Sequence, residues 1–395
     1  MPATTERSAA ALRILVIPGD GIGREVMPAA VEVLRATGLP LQFVEAEAGW
    51  GCFERSGVSL PPETLAAARA ADAILFGAVA SPSHPVVGYR SPIVALRREL
   101  DLYANIRPVR PLRDGSLGQR HPPIDLVVVR ENTEGLYVGL ETSDGETAIA
   151  QRVITRRASE RIARVAFELA RSRKTRNEER GTRNITLSSS LIVPRSSFPK
   201  VTIVHKANIL RETCGLFRTT ALQVAAEYPD VAVDELLVDT AALQLVQQPE
   251  RFDVIVTTNL FGDILSDVAS VWSGGLGMAP SANIGARHAL FEPVHGAAPD
   301  IAGRGIANPL AAIGCAAMLL EYLADRRLAG ADLPMGTAAR AEAGSRSLAE
   351  QCRSWAGRMH DAIRATLADG VATPDLGGSA STQEVTQTVI TAMRR

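Results

Sequence analysis

Cysteine is scarce: four residues in 395, at positions 52, 214, 315 and 352. No two stand at metal-ligand spacing and nothing frames a disulfide scaffold, so a reducing compartment fits. Each is expected to be a small buried hydrophobe. An excess of one charge is missing too. The 42 basic and 43 acidic residues leave a net charge of −1, so bulk charge supports neither a nucleic-acid nor a membrane-surface partner. Long apolar runs are absent. The longest, residues 310–320, is too short to span a bilayer and ends at Glu321. The first dozen residues lack an apolar signal core, and Glu6 counts against an organellar presequence. A cytoplasmic location is expected. No internal repeat is visible. With 46% hydrophobic residues, the chain is long enough for a large core and two domains.

What is present centres on Val-Ile-Val-Thr-Thr-Asn-Leu-Phe-Gly-Asp-Ile-Leu-Ser-Asp at 254–267. The β-branched start reads as a buried strand, broken at Asn259 and Gly262, with a helix after it. Asp263 and Asp267 are four apart, so both carboxylates project from one helical face. Two such acids repel unless a cation lies between them, which suits a hard divalent metal. Taken alone, Asp263 would be an ordinary first-turn acid and Asp267 a solvated one. The strand end, where α/β proteins place ligands, favours the metal.

Elsewhere strands and helices alternate, which predicts an α/β fold. Strands are read at 12–18, 41–46, 73–77, 124–129, 201–205 and within 231–238, the last delivering Asp239. Residues 147–155 alternate like a hairpin arm, and Ser159 starts a helix. Residues 172–199, rich in Arg, Ser, Thr and Asn without sustained periodicity, read as a long surface loop or disordered insert. Gly-Asp-Gly-Ile-Gly at 19–23 follows the first strand, but a dinucleotide fingerprint needs glycine where Arg24 stands. The glycines serve a tight strand-to-helix turn.

Arg97, Arg107 and Arg130 each stand at the edge of an apolar segment. Guanidinium groups suit bidentate carboxylate binding. Beside Asp239, Asp263 and Asp267, they suggest a polycarboxylate chelating a shared metal. Lys206 and Tyr137 also follow strands, where a base and a proton donor are available.

The motifs resemble those of the β-decarboxylating dehydrogenases, which include isocitrate, 3-isopropylmalate and homoisocitrate dehydrogenases. The likeness rests on Gly-Asp-Gly-Ile-Gly at 19–23, Leu-Arg-Arg-Glu-Leu-Asp-Leu-Tyr-Ala-Asn-Ile-Arg-Pro at 96–108 and Val-Arg-Glu-Asn-Thr-Glu-Gly-Leu-Tyr at 129–137. His-Lys-Ala-Asn at 205–208, the segment at 258–267 and Glu-Pro-Val-His-Gly-Ala-Ala-Pro-Asp-Ile-Ala-Gly at 292–303 complete it.

The resemblance implies a two-domain isopropylmalate dehydrogenase-like fold with a mixed central sheet, not a Rossmann fold. Residues 1–107 with 270–395 would form a large cofactor-binding domain, and 108–269 a small domain with dimer contacts. It implies substrate binding by Ser91, Arg97, Arg107, Arg130, Tyr137, Lys206, Asn208 and Asp239. Lys206 would help deprotonate the hydroxyl, and Tyr137 would protonate the enol carbon. Asp263 and Asp267, with Asp239 of the partner subunit, would hold Mg²⁺ or Mn²⁺. Lys206 would also come from the second subunit of a homodimer or tetramer with shared active sites. Gly285, Glu292, His295, Gly296, Ala297, Ala298, Pro299, Asp300, Ile301 and Asn308 would line the cofactor site. Asp300 suits the adenosine ribose hydroxyls and repels a 2′-phosphate, so NAD is expected.

For the substrate, Val-Glu-Ala-Glu-Ala-Gly-Trp at 44–50 and Phe-Gly-Ala-Val-Ala-Ser-Pro at 76–82 look most like homoisocitrate enzymes. Ile93 and Val94 would suit an isopropyl group. Some homoisocitrate enzymes carry Arg at the position of Val94; Arg90 is the candidate substitute. Homoisocitrate ranks first, 3-isopropylmalate second, isocitrate or tartrate third; the first two point to amino-acid biosynthesis. A non-catalytic subunit is disfavoured, because the acids, lysine and arginines are all kept.

Overall fold

The computed structural model describes residues 11–82, 84, 86–111, 124–183, 199–328 and 343–395. The chain begins β1 (Leu12–Gly19), α1 (Gly23–Ala36), β2 (Leu41–Glu45), α2 (Trp50–Ser56), α3 (Pro62–Ala70), β3 (Ala73–Ala78) and α4 (Pro92–Glu99). It continues through β4 (Ala104–Val109), β5 (Leu126–Glu131), β6 (Glu141–Ser143), β7 (Ala148–Ala150), α5 (Arg156–Arg183), β8 (Lys200–His205) and α6 (Thr213–Ala225). Then come β9 (Ala232–Leu237), α7 (Val238–Gln247), β10 (Val254–Thr257), α8 (Asn259–Ser270), β11 (Pro280–Ile284), β12 (Ala289–Pro293), α9 (Leu310–Leu328), α10 (Ala343–Ala368) and α11 (Thr382–Met393).

Packing divides the chain into two compact units. One holds residues 1–100, 280–282 and 287–395; the other holds 101–279 and 283–286. In the first, the strand order β2-β1-β3-β12 is parallel throughout, with Ile14 opposite Ala73 and Leu290 opposite Ile74. Strands covered on both faces read as continuous apolar runs, as Ala-Ile-Leu-Phe-Gly-Ala of β3 does, fully buried. Helix α1 lays Val26, Met27, Ala30, Val33 and Leu34 into that core.

In the second unit the order is β4-β5-β10-β8-β9. Here β4 runs antiparallel to β5 and the other pairs are parallel, so the sheet is mixed. Phe167, Phe217 and Tyr228 pack with Val201 and Val254 in one core cluster. Leu126, Val128, Ile255, Leu265 and Trp272 form another. Strands β6 and β7 pair as the expected hairpin arm.

Three local expectations change. Helix α5 starts at Arg156 rather than Ser159, because the Thr155 hydroxyl accepts the Ala158 amide and caps it. Residues 172–183, expected as loop, continue α5. That stretch is dominated by Arg, Lys and Glu, good helix formers that carry no apolar rhythm. Arg173 also anchors it, donating to Asp253 at 2.8 Å and Asp125 at 2.9 Å. The rest of the predicted insert, 184–198, lies outside the described residues. Finally, Asn259 and Gly262 do not break the chain: α8 begins at Asn259 and Gly262 lies inside it. The four cysteines are free and buried. Among the described residues no helix is long and apolar enough to cross a membrane.

Candidate active site

The second unit gathers most of the expected chemistry around Asp263. Strand register begins it: Asn105 on β4 faces Arg130 on β5, and Arg130 pairs with Thr257 on β10. Arg107 lies two residues beyond Asn105, hence on the same face of β4. Arg130 is 1% exposed. Its Nε and Nη2 donate to Asn259 Oδ1 at 3.1 and 2.7 Å, and its Nη1 pairs with Asp263 Oδ1. Arg107 donates from Nε to Asn105 Oδ1 at 2.8 Å and from Nη1 to Ser266 Oγ at 2.7 Å. It also reaches Asp267 and Asp263, each at 3.3 Å. Tyr137, in the turn after β5, donates its hydroxyl to Asp263 Oδ2 at 2.5 Å. The Arg130 guanidinium lies over its ring, 5.1 Å from the centroid.

Gly262 makes this approach possible. A Cβ there would lie 2.6 Å from both Cβ and Cγ of Arg130. Glycine costs helix stability, but any larger side chain would push the arginine away.

Electrostatics follow from burial. The Asp267 carboxyl is pushed up chiefly by burial, with Asp263 adding repulsion and Arg107 opposing. The Tyr137 hydroxyl is also raised, first by burial and then by its bond to Asp263. The phenol is therefore protonated at neutral pH. Asp263 and Asp267 present oxygen donors only, one helical turn apart and partly open to solvent, with side-chain exposures of 31% and 55%. That donor set fits a hard divalent cation.

Lys206 and Asp239 form a second pair. His205 on β8 registers with Leu237 on β9, so the residues just beyond each strand meet. Lys206 Nζ lies 2.7 Å from Asp239 Oδ1. The lysine, followed by backbone amides, holds the Asp239 carboxyl below its ordinary range. Among the described residues no group of three His, Cys, Asp or Glu side chains is disposed to hold a metal ion. Asp239 thus does not complete a three-carboxylate set with Asp263 and Asp267 within this chain. Asn208 sits exposed in the turn after β8.

The first unit carries the remaining residues apart from Gly285. Arg97 on α4 is buried, its Nη2 2.6 Å from Glu292 Oε1. Arg97 Nε is buried without a hydrogen-bond partner. Ser91 precedes α4 and makes no side-chain capping bond. Trp50 and Phe53 on α2 pack their rings against each other and against Tyr89, which lies just before α4, with centroids 5.2–5.6 Å apart. In the 295–301 loop, His295 Nδ1 donates to the Gly296 carbonyl at 3.0 Å. Burial keeps that ring neutral, so its Nε2 is an acceptor, buried and without a partner. Such an orphaned acceptor fits a ligand that brings a donor, as an adenine amino group does. Ala297 is buried, while Gly296, Pro299 and Asp300 are exposed and Ala298 and Ile301 half-buried. Asn308 caps α9 through Oδ1 to the Leu310 amide, and its Nδ2 donates to Asp375 at 3.0 Å.

The chain matches the Isocitrate/isopropylmalate dehydrogenase family over residues 13–389. It belongs to that family. The chain is 49% identical over 386 residues to an isocitrate/homoisocitrate dehydrogenase of Thermus thermophilus, covering 97% of this chain and 99% of that one. A 3-isopropylmalate/3-methylmalate dehydrogenase of Methanocaldococcus jannaschii is 45% identical over 383 residues, with the same coverages. Among solved structures, isocitrate dehydrogenase from Methylococcus capsulatus is 40% identical with a TM-score of 0.78, covering 97% of this chain and 100% of that one. The fold is that of this family, as its motifs implied.

Sequence reading missed Asn105, Asn259 and Ser266, which hold Arg107 and Arg130 in place. A signal existed for two of them. Asn259, Asp263, Ser266 and Asp267 fall at i, i+4, i+7 and i+8, one face of a helix.

Proposed function

We propose that this family member catalyses NAD-dependent oxidative decarboxylation of a 3-substituted malate, with homoisocitrate going to 2-oxoadipate and CO₂. The observation that carries this is the convergence of Arg107, Arg130 and the Tyr137 hydroxyl on Asp263. Arg107 and Arg130, both buried, would hold the malate carboxylates by paired charge-assisted hydrogen bonds. Arg97, in the other unit, is assigned to the substrate by its motif. Lys206 would help take the C2 hydroxyl proton as the C2 hydride leaves. The resulting β-keto acid loses its C3 carboxylate as CO₂, and the bonding electrons pass to the enolate. Tyr137 would then deliver its proton to C3. Mg²⁺ or Mn²⁺, held by Asp263 and Asp267 with Asp239 of the partner subunit, would supply Lewis-acid stabilisation of negative charge, and NAD would accept the hydride.

A homodimer is part of this reading. Leu243 and Val246 on α7 and Ile264 on α8 are each more than half exposed. An apolar face on adjacent helices supports a two-fold contact between copies. A cytoplasmic location accords with the free buried cysteines.

Relatives' names span several side groups, so the substrate order rests on sequence around α4. Ile93 and Val94 stand in its first turn and Arg90 is exposed just before it. The test is NADH formation with Mg²⁺ on homoisocitrate, 3-isopropylmalate, isocitrate and tartrate at equal concentration. The highest kcat/KM is expected for homoisocitrate, falling on Arg90→Ala. A higher value for 3-isopropylmalate would overturn the order and assign selection to Ile93 and Val94.

A further inference from the structure

The turn at 19–23 lacks the last glycine of a dinucleotide fingerprint, yet it grips the loop assigned to the cofactor. Gly21 has φ +52, and a Cβ there would lie 2.0 Å from the Ala297 carbonyl oxygen. The next amide, Ile22, donates to that same carbonyl at 2.9 Å. In the first turn of α1, Glu25 reaches the far end of the loop. Its Oε1 accepts the Gly303 amide at 2.5 Å and its Oε2 the Gly305 amide at 3.0 Å. Both glycines have positive φ, +78 and +66, a backbone that turns two nearby amides toward one carboxylate. The segment between these anchors contains Asp300 and Ile301, and Ala298 in it adopts φ +38, a conformation that costs energy and persists only where the surroundings hold it.

We infer that Glu25 is a positioning residue for the cofactor loop: its carboxylate fixes the loop conformation in which Asp300 and Ile301 meet the adenosine half of NAD. This rests on the NAD reading above. The chemistry requires a carboxylate. Two backbone amides need two acceptor oxygens, and a carboxamide supplies one while opposing the other amide with its own N–H. Glu25 lies beside the loop rather than among the reacting groups, so its loss falls on cofactor binding and spares the chemical step.

The test compares wild type, Glu25→Gln and Glu25→Ala by calorimetric titration with NAD alone and by steady-state kinetics varying NAD and the acid separately. Glu25→Ala is expected to raise Kd and KM for NAD by roughly ten-fold, from the loss of two charge-assisted hydrogen bonds. Glu25→Gln should fall between it and wild type, with kcat and the acid's KM within about two-fold in both. An unchanged Kd for NAD in Glu25→Ala overturns the inference. So does a uniform loss of kcat, both KM values and Tm, which marks a merely structural residue. If Glu25→Ala does not fold, the isosteric Glu25→Gln decides alone. Wild type that binds NAD but oxidises none of the four acids would sink the substrate reading and leave the Kd comparison decisive for Glu25. Wild type that binds no NAD would overturn both.

Discussion

Tyr137 and Asp263 share a short hydrogen bond, phenol to Oδ2 at 2.5 Å, while the guanidinium of Arg130 holds Oδ1 of the same carboxylate. The proposed proton donor and a proposed metal ligand are thus oriented by one group. Burial and that bond keep the phenol protonated. Tyr137→Phe should lower kcat by about a hundred-fold, the usual scale for losing a general acid, and change the acid's KM by less than about three-fold. Steady-state kinetics would check this; kcat within two-fold of wild type would remove Tyr137 from the proton step.

Gly262 is the second lever. Gly262→Ala puts a methyl group 2.6 Å from the Arg130 side chain. Helix propensity favours alanine by about 1 kcal/mol, whereas overpacking costs about 1–3 kcal/mol. We expect a net loss of stability and a substrate KM raised about ten-fold as Arg130 shifts off Asn259 and Asp263. Denaturant melts alongside kinetics would read both. A more stable variant with unchanged KM would mean that Arg130 tolerates displacement.

Shared active sites predict complementation. Lys206→Met and Asp263→Asn should each be inactive as pure proteins. If each site combines Asp263 of one subunit with Lys206 of the other, mixed dimers carry one intact site. Random re-association of equal amounts should recover about a quarter of wild-type activity, half the dimers with half their sites. No recovery, with mixed dimers verified by mass, would place Lys206 and Asp263 in one chain's site.

His205 gives a pH dependence. Burial lowers its pKa below the ordinary 6.5; Arg218 acts in the same sense and Glu235 opposes. Its Nδ1 accepts the Ala207 amide at 3.1 Å, a bond that protonation at Nδ1 would break. The unfolded chain takes up the proton first as pH falls, so the stability from His205 is complete above 6.5 and lost as pH falls toward its folded value. His205→Asn, whose Oδ1 can mimic Nδ1, should flatten the fall in Tm between about pH 8 and about pH 5.5. An unchanged slope would assign acid sensitivity elsewhere.

How much of this could be read from the sequence depended on range. The Asp263–Asp267 pairing was legible because helical spacing is local. Most strands were legible from apolar runs, but β4 and β11, whose sequences are interrupted by asparagine and proline, were not. What sets Asn105 and Arg107 beside Arg130 is the antiparallel register of β4 and β5, a long-range pairing that no local pattern encodes. Gly262 read as a breaker because its reason for being glycine lies on another strand. The helical stretch at 172–183 was missed because polar helix formers leave no apolar period in the sequence. The role of Glu25 was hidden for the same reason as that of Asn105: its partners are about 280 residues away in sequence.

The most direct test of the account is to measure NADH and CO₂ together from homoisocitrate and NAD, before and after chelation of divalent metal. The account predicts one CO₂ for each NADH, with both lost on chelation and both restored by Mg²⁺ or Mn²⁺. NADH formed without CO₂, or turnover indifferent to chelation, would contradict it.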